Sequence, residues 1–325
     1  MRALFSWRKT KVNDLAKCLQ LHPNKNGAEI VGKARAAKAW QQLLEMSHAT
    51  RSAVVEMHDK DRAEIVGFGF ASFVKRSFAE DEVRNPRPGL NSRIIESIVR
   101  GKSVIATYAE VRDANTRGDL QQAVLENSWK DGSLTAAQVE EVRVLLGLAY
   151  GELFAGYHFS RLFTEMVDAL DLWNASGHQY LQVTSRFEEF RRANPETKWN
   201  SDRALLQVTA DTMRDHPHSV AAGLFQRHLA PQFGFRQREQ DLLELALESA
   251  DDHSIANSLF LTLPAIKRRW ATIFECVSSL RPDICPFDGD GTRGVQKRQR
   301  ILAYIRNHPE ELRPFKLNRP FKRIH

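Results

Sequence analysis

QREQDLLELALESADDHSIANSLFLTLPAIKRRWATIFECV, residues 237–277, is the stretch from which the rest of this chain is read. Leu242, Leu243, Leu245, Ala246 and Leu247 form a strongly apolar helix, opened by Arg236, Arg238 and Glu239. Ser249, Asp251 and Asp252 are stop and cap residues, so that helix ends near Glu248. A short second helix carries Ile255, Ala256 and Leu259 on one side, and Phe260-Leu261 makes a tight apolar turn. Thr262 then suits an N-cap, and Pro264 suits a first helical turn, where its missing N–H has no helical partner. Ile266, Trp270, Ile273 and Val277 follow at i, i+4, i+7 and i+11, one buried stripe widened by Phe274. Lys267, Arg268, Ala271 and Thr272 lie opposite. A short helix, a short turn and a longer helix with a cationic outer face predict a helix-turn-helix whose second helix enters the major groove.

Charge points the same way. The chain has 325 residues, room for two cores, with 42% hydrophobic and 27% charged residues. Its net charge is +7, and from Leu263 onward Lys and Arg outnumber Asp and Glu by 14 to 6. A basic excess gathered in one segment is the expected footprint of phosphate contact, although a generally solvated basic surface gives the same count. Cys18, Cys276 and Cys285 lack metal-type or disulfide-framework spacing. The N-terminus MRALFSWRKTKVNDL has no signal-peptide core, and no run reaches the roughly 20 apolar residues of a bilayer span. A cytoplasmic location is expected.

The segment resembles the DNA-binding domain of LuxR-type transcriptional regulators. The matching residues are Arg238-Glu239, Ile255-Ala256, Leu259, Thr262, Ile266-Lys267 and Ile273, in ungapped register. Ser249, Ser254, Ala265 and Arg269 depart from that family's usual Gly, Glu, Thr and His, and Arg281–Thr292 resembles an insertion before a fourth helix. The resemblance covers about a sixth to a quarter of the chain and is more specific for fold than for base readout, since the groove-facing positions vary. It implies a fourth helix, Val295–Asn307, able to serve dimer contact.

The first 230 residues read as a mixed α/β domain. Val12–Leu19 and Ala34–Met46 are helix candidates, His22–Gly27 a turn, and Ser52–Met57, Glu64–Val74 and Ser103–Val111 strands. Glu64–Val74 is apolar almost throughout, as a central strand is. Asn85-Pro86-Arg87-Pro88-Gly89 is a rigid loop. Residues 119 to about 193 read as helical: Leu120, Val124 and Leu125 start one helix, and Thr135 caps a run from Ala136 towards Leu172, which Gly147, Gly151 and Gly156 interrupt. Gln179–Val183, Ala204–Thr209 and Val220–Phe225 complete the sheet, with a loop at Asn194–Lys198. Gly156-Tyr157-His158 and Glu165 invite a catalytic reading, but a Tyr or His on a helix flank is more often packed with its polar tip satisfied. His216 and His218 lack a partner at metal-ligand spacing.

This half is also similar to acyl-CoA N-acetyltransferases. The likeness rests on Arg8, Asp14, two helices and the strand IVGFGFASF, typical of the strand before that family's cofactor strand. That family's pyrophosphate signature, Arg or Gln followed by Gly-x-Gly or Gly-x-Ala at a strand-to-helix junction, does not appear. Gly67-Phe68-Gly69 lies inside a strand, where such a pair marks a bulge or close packing.

The expectation is therefore an α+β chain: a mixed α/β domain with a helical segment over 1–230, an all-α LuxR-like helix-turn-helix over 231–312 and a basic tail over 313–325 with five Lys or Arg. It reads as a transcriptional regulator, with the enzyme question left open and double-stranded DNA as partner, contacted by Thr262, Lys267, Arg268, Arg269 and Thr272. A small-molecule effector and a homodimer are the other partners considered; no cofactor, metal or membrane is. The alternatives are an acetyltransferase-like enzyme, or a ligand-binding protein, with an appended helical interaction domain.

Overall fold

The structure, a computed structural model, describes residues 4–21, 27–59, 62–130, 132–167, 182–185, 187, 192, 203–216, 218, 222–225, 229–248, 251–286 and 294–317. The expected turn over 22–26, the loop Asn194–Lys198 and the tail beyond Leu317 lie outside them. The chain forms two compact units. Unit 1 comprises Met1–Ala114, Gly118–Phe154 and His158–Gln226; unit 2 comprises Asn115–Arg117, Ala155–Tyr157 and Arg227–His325.

Unit 1 is built on a strand that the sequence marks plainly. β3 (Arg62–Val74) is buried from Val66 onward, apart from half-buried Gly69. It pairs antiparallel with β2 (Thr50–Asp59), and β2 with β1 (Leu4–Lys9). On its other edge β3 pairs antiparallel with β4 (Leu120–Trp129). Next comes the one parallel pairing among the described strands, β4 with β5 (Phe159–Val167). β7 (Arg203–Thr209) and β6 (Gln182–Ser185) complete the order β1-β2-β3-β4-β5-β7-β6.

Helices fill the connections. Between β1 and β2 lie α1 (Leu15–Leu21), α2 (Ala28–Val31) and α3 (Lys33–Glu45). Trp40 of α3 is fully buried edge-on against Phe70 of β3. A three-helix insertion separates β3 from β4: α4 (Arg76–Arg84), α5 (Leu90–Val99) and α6 (Tyr108–Arg117). α7 (Ala136–Phe154) crosses between the parallel strands, as a parallel pair requires. It packs on Gly67 and Gly69 of β3: a Cβ on Gly67 would stand 2.6 Å from Val142 Cγ1. The glycine pair is therefore a packing site for α7. After β7 come α8 (Ala210–Asp215) and α9 (Ala222–Phe225).

Four expectations need correction. Val220–Phe225 does not complete the sheet, since Ala222–Phe225 is the helix α9. Ser103–Val111 is no strand: only Ile105 bridges to Val74, and α6 starts at Tyr108. Thr107 and Glu110 form a capping box, the Thr107 N–H and hydroxyl donating to the Glu110 carboxylate and Thr107 Oγ1 accepting from Glu110 N–H. Leu120–Leu125 is strand, not helix, since Gly118 at φ +71° has already turned the chain out of α6. The helix expected to run from Ala136 towards Leu172 stops at Phe154. Gly147 and Gly151 do not break it; Gly156, at φ +83°, turns the chain into β5.

The described part of unit 2 holds α10 (Gln237–Leu247), α11 (Asp252–Ser258), α12 (Leu263–Leu280) and α13 (Gly294–Asn307), with a 3-10 turn at Pro309–Leu312. Asp251 caps α11 by accepting from His253 and Ser254 N–H. Leu242, Leu243, Ile255, Ile266, Trp270, Ile273, Val277, Ile301 and Ile305 form its core. The apolar stripe of α12 is thus where its spacing put it. Glu311 accepts from the N–H groups of Gln232 (2.7 Å) and Phe233 (3.0 Å). A Cβ on Gly156 would meet Glu310 N at 2.6 Å.

Candidate functional site

The parallel strands of unit 1 part company. Their register runs from Leu120↔Phe159 to Val124↔Thr164 and stops there. Opposite this point β4 bulges against β3: Ala71 faces Val124 and Phe70 faces Glu126, which leaves Leu125 over. A bulge bends its strand and raises the local twist, so β4 is turned away from its neighbour. Beyond the bulge β4 stays with β3 as far as Trp129, and β5 stays with β7 as far as Val167. The result is a fork inside the sheet. Thr164 Oγ1 closes its base by donating to the Val124 carbonyl at 3.0 Å.

The fork is bridged by the start of α5. Gly89 N–H donates to Glu165 Oε2 at 2.7 Å, and Leu90 N–H donates to the same oxygen at 2.6 Å. Asn91 Nδ2 donates to the Leu125 carbonyl at 2.5 Å and lies 3.3 Å from Glu126 Oε1. Glu165 and Leu125 are the first residues past the last β4–β5 pair, one on each prong. Glu165, Asn91, Leu125 and Glu126 are all buried.

The local sequence explains how the bridge is made. Pro86 and Pro88 stiffen the approach, and Gly89 supplies a left-handed φ of +84°. Glycine has no side chain with which to cap α5, so Glu165 accepts two of the N–H groups that a helix start leaves without internal partners. Arg93 anchors the turn: its guanidinium pairs with fully buried Glu82 and donates to the carbonyls of Pro88 and Arg87. Ser92 donates to Glu29.

At the open end of β4 lies the strand-to-helix junction that leads into α7. It holds Gly132 at φ +74° and no second glycine. Thr135 and Gln138 form a capping box: Thr135 N–H and Oγ1 donate to Gln138 Oε1, and Gln138 N–H donates to Thr135 Oγ1.

Other residues singled out in the sequence have structural places. Arg8 pairs with Asp14 (2.6 Å) and Glu56 (2.7 Å), and that guanidinium holds the Asp14 carboxyl below its usual range. Tyr157 is buried beneath the Arg313 guanidinium, 4.9 Å from the ring centroid. Glu165, which with Gly156-Tyr157-His158 invites a catalytic reading in the sequence, caps the start of α5, and nothing in its own segment points to residues 89–91. Among the described residues, no group of three or more His, Cys, Asp or Glu is placed to hold a metal ion, and no helix is long and apolar enough to cross a membrane.

The expected DNA contacts lie in unit 2. Thr262 stands at the N-cap of α12, but its side chain makes no capping bond. Lys267, Arg268 and Thr272 are exposed, with Thr272 Oγ1 donating to the Arg268 carbonyl. Arg269 is half-buried and donates to the Arg238 carbonyl. Part of the basic charge is tied up inside the unit. Arg298 pairs with Asp252 and stacks 4.6 Å over Trp270, Arg281 pairs with Asp283, and Arg313 is buried against Glu244.

No family model and no curated protein matches the chain. Solved structures do. One is N-acetylglutamate synthase from Neisseria gonorrhoeae, at 13% identity and TM-score 0.31, covering 64% of this chain and 36% of that one. Another is a GNAT-family acetyltransferase from Bacillus cereus, at 8% identity and TM-score 0.30, covering 63% and 97%. A third is mosquito arylalkylamine N-acetyltransferase-like 5b, at 10% identity and TM-score 0.37, covering 62% and 100%. The match thus spans about a third of the Neisseria enzyme's length. These structures are acetyltransferases, not transcription regulators, and nothing among them is a LuxR-type domain. The expected transcription regulation and double-stranded DNA partner are corrected accordingly. A cation count cannot tell charges offered to a duplex from charges consumed by Asp252, Asp283 and Glu244.

Proposed function

We propose that unit 1 is an acetyltransferase-like domain whose fork between β4 and β5 is the place for an acyl thioester. The observation that carries this reading is the parallel pairing, the one such pairing among the described strands, that opens past Val124 and Thr164 at a bulge. Such an opening presents strand-edge backbone groups to an extended chain, and main-chain pairing of that kind gives affinity without a deep pocket. The pantetheine arm of an acyl thioester, extended and bearing two amides, has the shape for it. The earlier likeness of Arg8, Asp14 and IVGFGFASF to acyl-CoA N-acetyltransferases supports the same reading.

Coenzyme A does not fit the residues as they stand, at two points. The junction into α7 has one glycine, and the Thr135–Gln138 box already takes two N–H groups at its helix start, where a diphosphate would need open ones. The fork itself is bridged by Gly89, Leu90 and Asn91.

Saturation-transfer NMR on the full chain with acetyl-CoA at millimolar concentration tests the reading, because it detects weak binding. Saturation reaching the pantetheine methyl and acetyl protons is the expected result. None reaching them, in the wild type and in a chain with the bridge removed, would sink it.

A further inference from the structure

The Asn85–Gly89 loop and Glu165 were separate features of the sequence, and the fold brings them to one place. We propose that the first turn of α5 is a wedge that excludes an acyl thioester from the fork. The inference rests on the reading of unit 1 as acetyltransferase-like and goes further, since it names what controls access.

Its contacts fall at the mouth of the fork on both prongs. Asn91 takes the Leu125 carbonyl, the backbone group that the bulge turns away from β3. Glu165, one residue past the last β5 pair, holds the two leading N–H groups of the wedge. An extended amide chain entering the fork would need the same carbonyl and the same space. The wedge is also firmly seated. Leu90, Ile94 and Ile95 are completely buried, and Arg93 fastens the preceding turn to Glu82, itself fully buried. It belongs to the core and is no loose lid, so the wild type should take an acyl thioester only weakly.

The wedge belongs to the insertion between β3 and β4, with α4 before it and α6 after it. Asn91→Ala and Glu165→Ala remove the polar holds on both prongs and leave the apolar face of α5 intact.

Acetyl-CoA is titrated by calorimetry into the full-length wild type and into the N91A/E165A double variant. The wedge predicts an affinity about tenfold or more higher in the variant. Equal affinity would overturn the wedge and leave the acetyltransferase-like reading standing. Binding by neither protein, with no saturation transfer in either, would overturn both. Should the variant fail to fold, hydrogen exchange on the wild type decides. Saturating acetyl-CoA should strip protection from the amides of residues 89–95, whereas binding with those amides still protected would overturn the wedge.

Discussion

Glu165 of β5 accepts the backbone N–H of Leu90 at 2.6 Å, so a carboxylate 75 residues downstream in the chain caps the helix α5. The same oxygen takes Gly89 N–H. One buried side chain thereby fixes where the insertion meets the sheet.

Removing that carboxylate should be felt as lost stability. Glu165→Ala leaves two leading N–H groups without their acceptor in a buried place. An unsatisfied buried donor costs about 1–3 kcal/mol, so a loss of about 2–4 kcal/mol in urea unfolding is expected. Glu165→Gln, which keeps one carbonyl oxygen, should lose less. Equal losses for both variants would show that the second oxygen and the charge matter as much as the cap.

Two glycines near one another in sequence should respond in opposite ways. Gly147 lies within α7 with open space where a Cβ would go. Gly147→Ala should stabilise by about 0.5–1 kcal/mol through helix propensity. Gly156 has φ +83°, and a Cβ there would lie 2.6 Å from Glu310 N and 2.8 Å from its Cα. Gly156→Ala should destabilise by about 2 kcal/mol or more, from left-handed strain together with a clash against backbone. Thermal unfolding of the two variants side by side checks both signs.

A pH effect follows from Glu311. Burial pushes its carboxyl up from 4.5 to about 7, against the opposing pull of the Gln232 and Phe233 N–H groups. A folded pKa above the unfolded one means that the folded state holds the proton more tightly. The stabilisation is therefore full below about pH 4.5 and is lost as pH rises through about 7, a swing of about 3 kcal/mol. Glu311→Gln carries no titrating group there. The stability difference between wild type and variant, measured by urea unfolding from pH 4 to pH 8, should change in that direction; a flat difference would contradict it.

Much of the fold was legible because some segments declare themselves locally. Glu64–Val74 reads as a central strand, and Ile266, Trp270, Ile273 and Val277 read as one buried helix face; both are so. Errors arose where a local cue was passed over. Thr107-x-x-Glu110 is a capping signature inside SVIATYAEV, which looks like a strand by composition. Leu120, Val124 and Leu125 are spaced as in a helix, yet Gly118 closes the preceding helix and the chain there is strand.

The candidate site was the least legible part. Its decisive contacts join residues 89–91 to 125 and 165, and no periodicity within a segment encodes a pairing at that separation. The fork depends on a bulge at Leu125, which appears only once β3 and β4 are in register. The basic C-terminal segment misled for the converse reason. Arg298 and Arg313 count toward the excess in the sequence and are spent on Asp252 and Glu244 in the fold.

The bridge across the fork is tested most directly by amide hydrogen exchange at Gly89 and Leu90, followed residue by residue in the wild type and in Glu165→Ala. Strong protection of both amides in the wild type, lost in the variant while β3 and β4 amides stay protected, is the predicted result. Exchange of both at the rate of an open loop in the wild type would contradict it.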